Sequence, residues 1–170
     1  MKKSHLVSIL CASMFSFITL SANAAFLPRL ETFAGSGVYL AYYDTQLNIT
    51  WTADANINGF ASWADQVQWA DDLELGGEKD WRLASMNLDG AGYSPTACAA
   101  TNQEACKDNE YSHLYYYGAG TTYNSGITPG APGVFSNLSV TESTYWSGTE
   151  DANNPNSAWY LDFNGGTQWV

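Results

Sequence analysis

Positive charge is scarce in this chain. Its 170 residues carry six Lys and Arg against 17 Asp and Glu, a formal charge of −11 at pH 7. Two of the six cations, Lys2 and Lys3, stand at the N-terminus. Such a surface repels nucleic acid, anionic lipid and sulfated polysaccharide, and suits neutral ligands or cations. Histidine is rarer still, with only His5 and His113. The common hydrolytic patterns are missing as well: there is no G-x-S-x-G, no H-E-x-x-H and no phosphate loop. Ser147, in WSGT, has no base beside it in sequence, and none of the acids is marked as half of a hydrolytic pair. His113 reads as packed beside a short helix, and no enzymatic activity is expected.

Long apolar runs are lacking too. Residues 6–20 form one, short for a membrane span. It follows Lys2-Lys3 and ends in Ser21-Ala22-Asn23-Ala24, so residues 1–24 read as a secretory signal peptide. The expected destination is the periplasm or the cell exterior, with no transmembrane segment after cleavage. Cysteine is sparse. Cys11 falls inside the apolar run, and Leu10 before it does not suit a lipoprotein signal. Cys98 and Cys106, in CAATNQEAC, remain. In an oxidising compartment they are expected to form a disulfide closing a small loop. The other reading is a free reactive or metal-binding pair, but only Lys107 lies close by to activate it.

Aromatic residues are abundant. They make up 15% of the chain, with seven Trp and eleven Tyr beside 15 Gly. That balance predicts many loops held by aromatic packing, and surfaces suited to stacking on sugar rings. Residues 25–37 read as a short leader. Residues 38–43 (VYLAYY) and 47–51 (LNITW) have the β-branched and aromatic content of two strands joined by Asp44-Thr45-Gln46. A polar loop follows, then a helix capped by Ser62 with Asp65 in its first turn. Trp63, Val67, Ala70 and Glu74 mark its inner stripe, widened by Phe60, Ala64 and Leu73. Gln66 and Trp69 lie off that stripe, which leaves aromatic surface exposed. Gly76-Gly77 is expected to stop the helix, and DWRL (80–83) to be a short buried strand or turn. Residues 86–109 and 118–133 read as long loops. Between them, 110–117 (EYSHLYYY) is a short helix or a strand. The end is β-rich: 144–149 alternates, 157–164 alternates, Gly165-Gly166 turns the chain, and 168–170 begins a final strand.

The series VYLAYYDTQLNITW, DANI, WADQVQWADDLELGGEKDWRL, SHLYYYGAG, GVFSNL, YWSGTE and AWYLDFNGG resembles the Lcl C-terminal domain family over nearly all of residues 38–168. That domain ends a bacterial collagen-like adhesin and occurs in many exported bacterial proteins. The resemblance implies an α+β, C-type-lectin-like fold, also related to the formylglycine-generating sulfatase-modifying domain. Such a fold has short antiparallel sheets, one main helix, one short helix and long ordered loops. It also implies extracellular adhesion or glycan binding. Three departures stand out. Family members continue past the Gly-Gly turn into a strand like AWAVRPGD, so the domain at 38–170 is expected to lack its last strand. The adhesin's sulfated-glycan binding needs positive charge that this chain does not have. The usual DWRLP is DWRLA here.

Two places have the composition of cation sites. Asp54, Asn56, Asn58 and Gly59, followed after five residues by Asp65, match the spacing of a calcium loop, with Asp in place of the final Glu. Asp54, Asn56, Asn58 and Asp65 would offer side-chain oxygens, Phe60 a carbonyl and Ser62 a water-mediated contact. Affinity would be weak, about 10⁻⁴ to 10⁻³ M. The other reading is a polar loop whose Asp and Asn cap the helix. Glu150, Asp151, Asn153, Asn154, Asn156 and Asp162 surround Pro155, and read either as a lectin-type calcium loop or as an Asn-Pro turn between strands. A ligand surface is expected at Tyr115, Tyr116, Tyr117, Tyr123, Asn154, Asn156 and Trp159. Trp63, Trp81, Trp146 and Arg82 are expected to be structural, Arg82 through an ion pair. These readings lead to an exported, non-catalytic binding module recognising a glycan or a cell-surface protein, with calcium as the one cofactor in view. The alternatives are an assembly domain with an aromatic face for another protein, and a degenerate relative of the formylglycine-generating enzymes.

Overall fold

A computed structural model describes residues 26–86, 109–118, 134–138 and 144–170. The signal-like segment, Cys98, Cys106 and Tyr123 lie outside these residues, as do most of both long loops.

The first sheet grows from the alternating strand β2 (Tyr39–Asp44), which pairs antiparallel with β3 (Ile49–Thr52). Asp44 is fully buried at the turn between them. Its Oδ1 accepts the backbone N–H groups of Gln46 and Leu47 at 2.9 and 3.1 Å, so the buried carboxylate is compensated. A third strand, β1 (Phe26–Glu31), completes the order β1-β2-β3. This corrects the expected leader: residues 26–31 belong to the sheet. Phe26 packs edge-on to Phe135 at 5.6 Å, and the Arg29 guanidinium sits 4.3 Å over the Tyr43 ring. Pro28 is tolerated because β1 is an edge, where its missing N–H leaves no ladder bond unmade. The following turn is held by the Glu31 carboxylate, which accepts from Gly37 N at 2.7 Å and Gly35 N at 3.0 Å. Those bonds hold the Glu31 pKa below its ordinary value.

Helix α1 (Trp63–Asp72) starts as the sequence predicts. The Ser62 hydroxyl accepts from Asp65 N at 3.3 Å and donates to Asp65 Oδ2 at 2.6 Å. Its inner face differs from the expected stripe. Ala70 is buried, while Trp63, Gln66, Trp69 and Leu73 are half-buried. Ala64, Val67 and Glu74 are exposed, as is Phe60 just before the helix. Two polar ties set this rotation. Trp63 Nε1 donates to Ser147 O at 2.9 Å, and Gln66 bonds Gly59 O at 2.8 Å and Asn58 at 3.1 Å. The helix ends at Asp72, earlier than expected. Gly76 and Gly77, at φ 61° and 83°, form a tight two-residue turn bridged by Leu75 and Glu78, so they do not cap the helix. A Cβ on Gly76 would lie 3.2 Å from Leu30 of β1. Residues 80–83 form neither strand nor regular turn. The chain then runs beside the second sheet through Gly148 N to Ala84 O at 2.8 Å.

Helix α2 (Glu110–His113) is capped by Asn109, whose Oδ1 accepts from Ser112 N at 3.1 Å, and it continues as one wide turn, Leu114–Gly118. The second sheet has strands β4 (Thr144–Asp151), β5 (Asn154–Asp162) and β6 (Thr167–Trp169), in the order β4-β5-β6. The expected Asn-Pro turn is displaced. Asp151 pairs with Asn154, so the hairpin turns at Ala152-Asn153, and Pro155 sits in an irregular stretch of β5. The short last strand is paired, with Leu161 opposite Gln168. The chain is therefore α+β, with two three-stranded antiparallel sheets and two short helices among the described residues. The core joins Met86, Leu114, Tyr115, Tyr116, Phe135, Leu161 and Phe163. Among the described residues, no helix is long and apolar enough to cross a membrane.

Candidate ligand-binding cavity

Between the two sheets, α1 and residues 81–84 lies a cavity of about 450 Å³. That falls within the roughly 300–1,000 Å³ of small-ligand sites. Its walls carry Trp51 from β3, Trp69 from α1, Trp81 after the Gly-Gly turn, Tyr111 from α2, and Trp146 and Tyr160 from the second sheet. Trp51 stacks on Tyr111 with centroids 6.0 Å apart, and Trp146 meets Tyr160 edge-on at 5.5 Å. Trp69 and Trp81 have no ring partner among the described residues. Asn56, Asn58, Gly59 and Phe60 form one rim.

This rim is the loop expected to hold calcium, and its two carboxylates have other partners. Asp54 Oδ1 accepts from Asn56 N at 2.9 Å and Oδ2 from Asn137 Nδ2 at 3.0 Å. The loop is also bridged to Ser136 by Ala55 N to Ser136 O at 2.9 Å and Ser136 N to Ala53 O at 2.8 Å. Asn58 bonds Gln66, and Asp65 bonds Ser62. Asp54 is thus tied to one side of the loop, and Asp65 serves the helix start. Among the described residues, no three His, Cys, Asp or Glu side chains cluster.

Arg82 closes another side. Its guanidinium makes a two-pronged pair with the largely buried Glu110 carboxylate, at 2.7 and 2.6 Å. Ser85 N adds a third bond at 2.8 Å. Burial alone would raise the Glu110 pKa. The Arg82 bonds and the Ser85 N–H outweigh it, and the net shift is downward. The Tyr111 hydroxyl donates to Trp146 O at 3.2 Å, and burial raises its pKa so that it stays protonated. Among the described residues, the lining holds no Asp, Glu, Lys, His or Cys, and Arg82 is paired.

The expected ligand surface is not this one. Tyr115 is fully buried and Tyr116 nearly so. They meet edge-on at 4.9 Å, and Tyr115 packs against Phe163 at 6.0 Å, because the turn after α2 points both rings into the core. Tyr117 belongs to the same turn, but its side chain lies outside the described residues. Trp159 packs partly buried against the core. Asn154 and Asn156 are exposed at the start of β5, where Asn154 Oδ1 accepts from Asn156 N at 3.2 Å. Trp63 braces α1 on β4, whereas Trp81 and Trp146 line the cavity. Trp51, Tyr145 and Tyr160 were not singled out from the sequence. The one local signal was Trp69, off the apolar stripe of its helix. Comparison with protein-family models, curated proteins and solved structures returned no match.

Proposed function

We propose that this chain is an exported, non-catalytic binding module that holds a neutral carbohydrate in the aromatic cavity. The observation that carries this reading is a ring-walled cavity whose one charged described lining residue, Arg82, is paired with Glu110, in a chain of net charge −11. Ring faces stack on the apolar faces of sugars, and a few amides and hydroxyls fix their orientation. Charge on the ligand is disfavoured from both sides. An anion meets the acidic surface and an Arg82 already committed to Glu110. A cation finds no carboxylate among the described residues of the wall. A non-catalytic role accords with a lining that, among the described residues, offers no nucleophile–base pair. Ser147 is fully buried, and its hydroxyl donates to Trp159 O at 2.8 Å. The resemblance to the Lcl C-terminal domain family agrees with adhesion by glycan recognition, with neutral glycans replacing sulfated ones. A concave cavity also suits a small ligand better than a protein face, which takes about 800 Å² per partner.

A glycan array probed with the full chain tests the reading. It should retain neutral glycans and pass over sulfated ones, and Trp69→Ala should weaken binding by about tenfold or more. Retention unchanged in Trp69→Ala, or no glycan retained, would refute it.

A further inference from the structure

Some polar atoms on the cavity wall are already used: Thr52 Oγ1 donates to Asp54 O at 3.0 Å, Trp81 Nε1 donates to Glu78 O at 3.1 Å, and Asn58 Nδ2 donates to Gln66 Oε1 at 3.1 Å. The indole N–H groups of Trp69 and Trp146 have no partner among the described residues, and neither is sealed from solvent. An indole N–H donates and never accepts. The Asn56 side-chain amide is likewise unpartnered and offers one acceptor oxygen beside two donor hydrogens. A matching ligand brings an acceptor for the indole N–H groups, a donor for the Asn56 oxygen and apolar surface for the rings.

Building on the carbohydrate reading above, we infer that the preferred sugar is an N-acetylated amino sugar. Its acetamido carbonyl accepts from an indole N–H, its methyl group lies on the aromatic wall, and its amide N–H donates to Asn56 Oδ1. A plain hexose presents a hydroxyl at that position. The hydroxyl spans only one of the two polar contacts that the acetamido carbonyl and N–H make together, and it brings no methyl for the rings. A quaternary ammonium gains from ring faces but has no carbonyl to accept from the indole N–H groups.

Tryptophan-fluorescence titration of the full chain separates these ligands, with di-N-acetylchitobiose, cellobiose and choline as probes. Di-N-acetylchitobiose should saturate the signal at a concentration about tenfold or more below cellobiose, with choline weaker than both. Asn56→Ala should narrow the gap between the two sugars by several-fold while leaving the melting temperature unchanged. Cellobiose binding equally or more tightly would overturn the acetamido preference and leave the carbohydrate reading standing. Choline binding most tightly, or no response to either sugar, would overturn both. A gap between the sugars unaltered in Asn56→Ala would remove Asn56 from the proposed contact.

Discussion

At Gly166, two demands on one residue coincide. Its φ is +70°, and a Cβ there would lie 2.4 Å from the buried Tyr115 ring. Its carbonyl also accepts from Tyr116 Oη at 3.0 Å. Gly166→Ala should therefore cost about 2–5 kcal/mol, combining a left-handed backbone penalty with overpacking, and should shift the midpoint of a denaturant titration accordingly. The Arg82–Glu110 pair makes a second prediction at this scale. The folded-state pKa of Glu110 lies below its unfolded value near 4.5. Its contribution to stability is therefore fully present above that value, and is lost as pH falls through the folded pKa. Arg82→Ala strands the carboxylate in a buried place. Its pKa then rises above the unfolded value, and the slope of stability against pH reverses around the new pKa. The loss at neutral pH should be about 2–3 kcal/mol, below that for a fully buried pair because half of Arg82 stays in water. Chemical denaturation across pH 3–7, run on both proteins, reads both the loss and the sign.

Among the elements, β1 is the one most misread from sequence. A six-residue segment with a Pro and an exposed Leu27 has no local period of its own. Its strand character comes from pairing with β2 and from Phe26 reaching Phe135, contacts that only the tertiary fold creates. Phe26→Ala should cost about 2 kcal/mol, less than for a fully buried Phe, seen as a lower melting temperature. β2, β3, the start of α1 and the three terminal strands were legible, because alternation, the Ser62 cap and the Gly165-Gly166 turn act locally, whereas 110–117 stayed open between helix and strand. The phase of α1 was not. Counting apolar residues places Val67 inside, but the hydrogen bonds of Trp63 and Gln66 turn the helix so that Gln66 and Trp69 face inward. The candidate site suffered the same ambiguity. Tyr115 and Trp69 are equally aromatic in the sequence, yet one lies beneath Gly166 in the core and the other faces a cavity. Only the packing of two sheets around a helix separates them.

For the whole molecule, the acidic surface and the proposed binding cavity are separate: among the described residues, no carboxylate lines the cavity. Binding of a neutral ligand should then be nearly independent of salt between about 0.05 and 0.5 M, a range over which surface electrostatics are heavily screened. A steep salt dependence would place the contact on the charged exterior. The most direct measurement of the central claim uses the indole N–H resonances of the Trp side chains during titration with a neutral N-acetylated disaccharide. Trp51, Trp69, Trp81 and Trp146 line the cavity. Trp63 and Trp169 hold their N–H groups against Ser147 O and Thr167 Oγ1, each at 2.9 Å, away from it. Saturable shifts in the first group, led by Trp69 and Trp146, with Trp63 and Trp169 unmoved, are the predicted result. Shifts confined to Trp63, Trp159 or Trp169, or no shift at any indole, would contradict it.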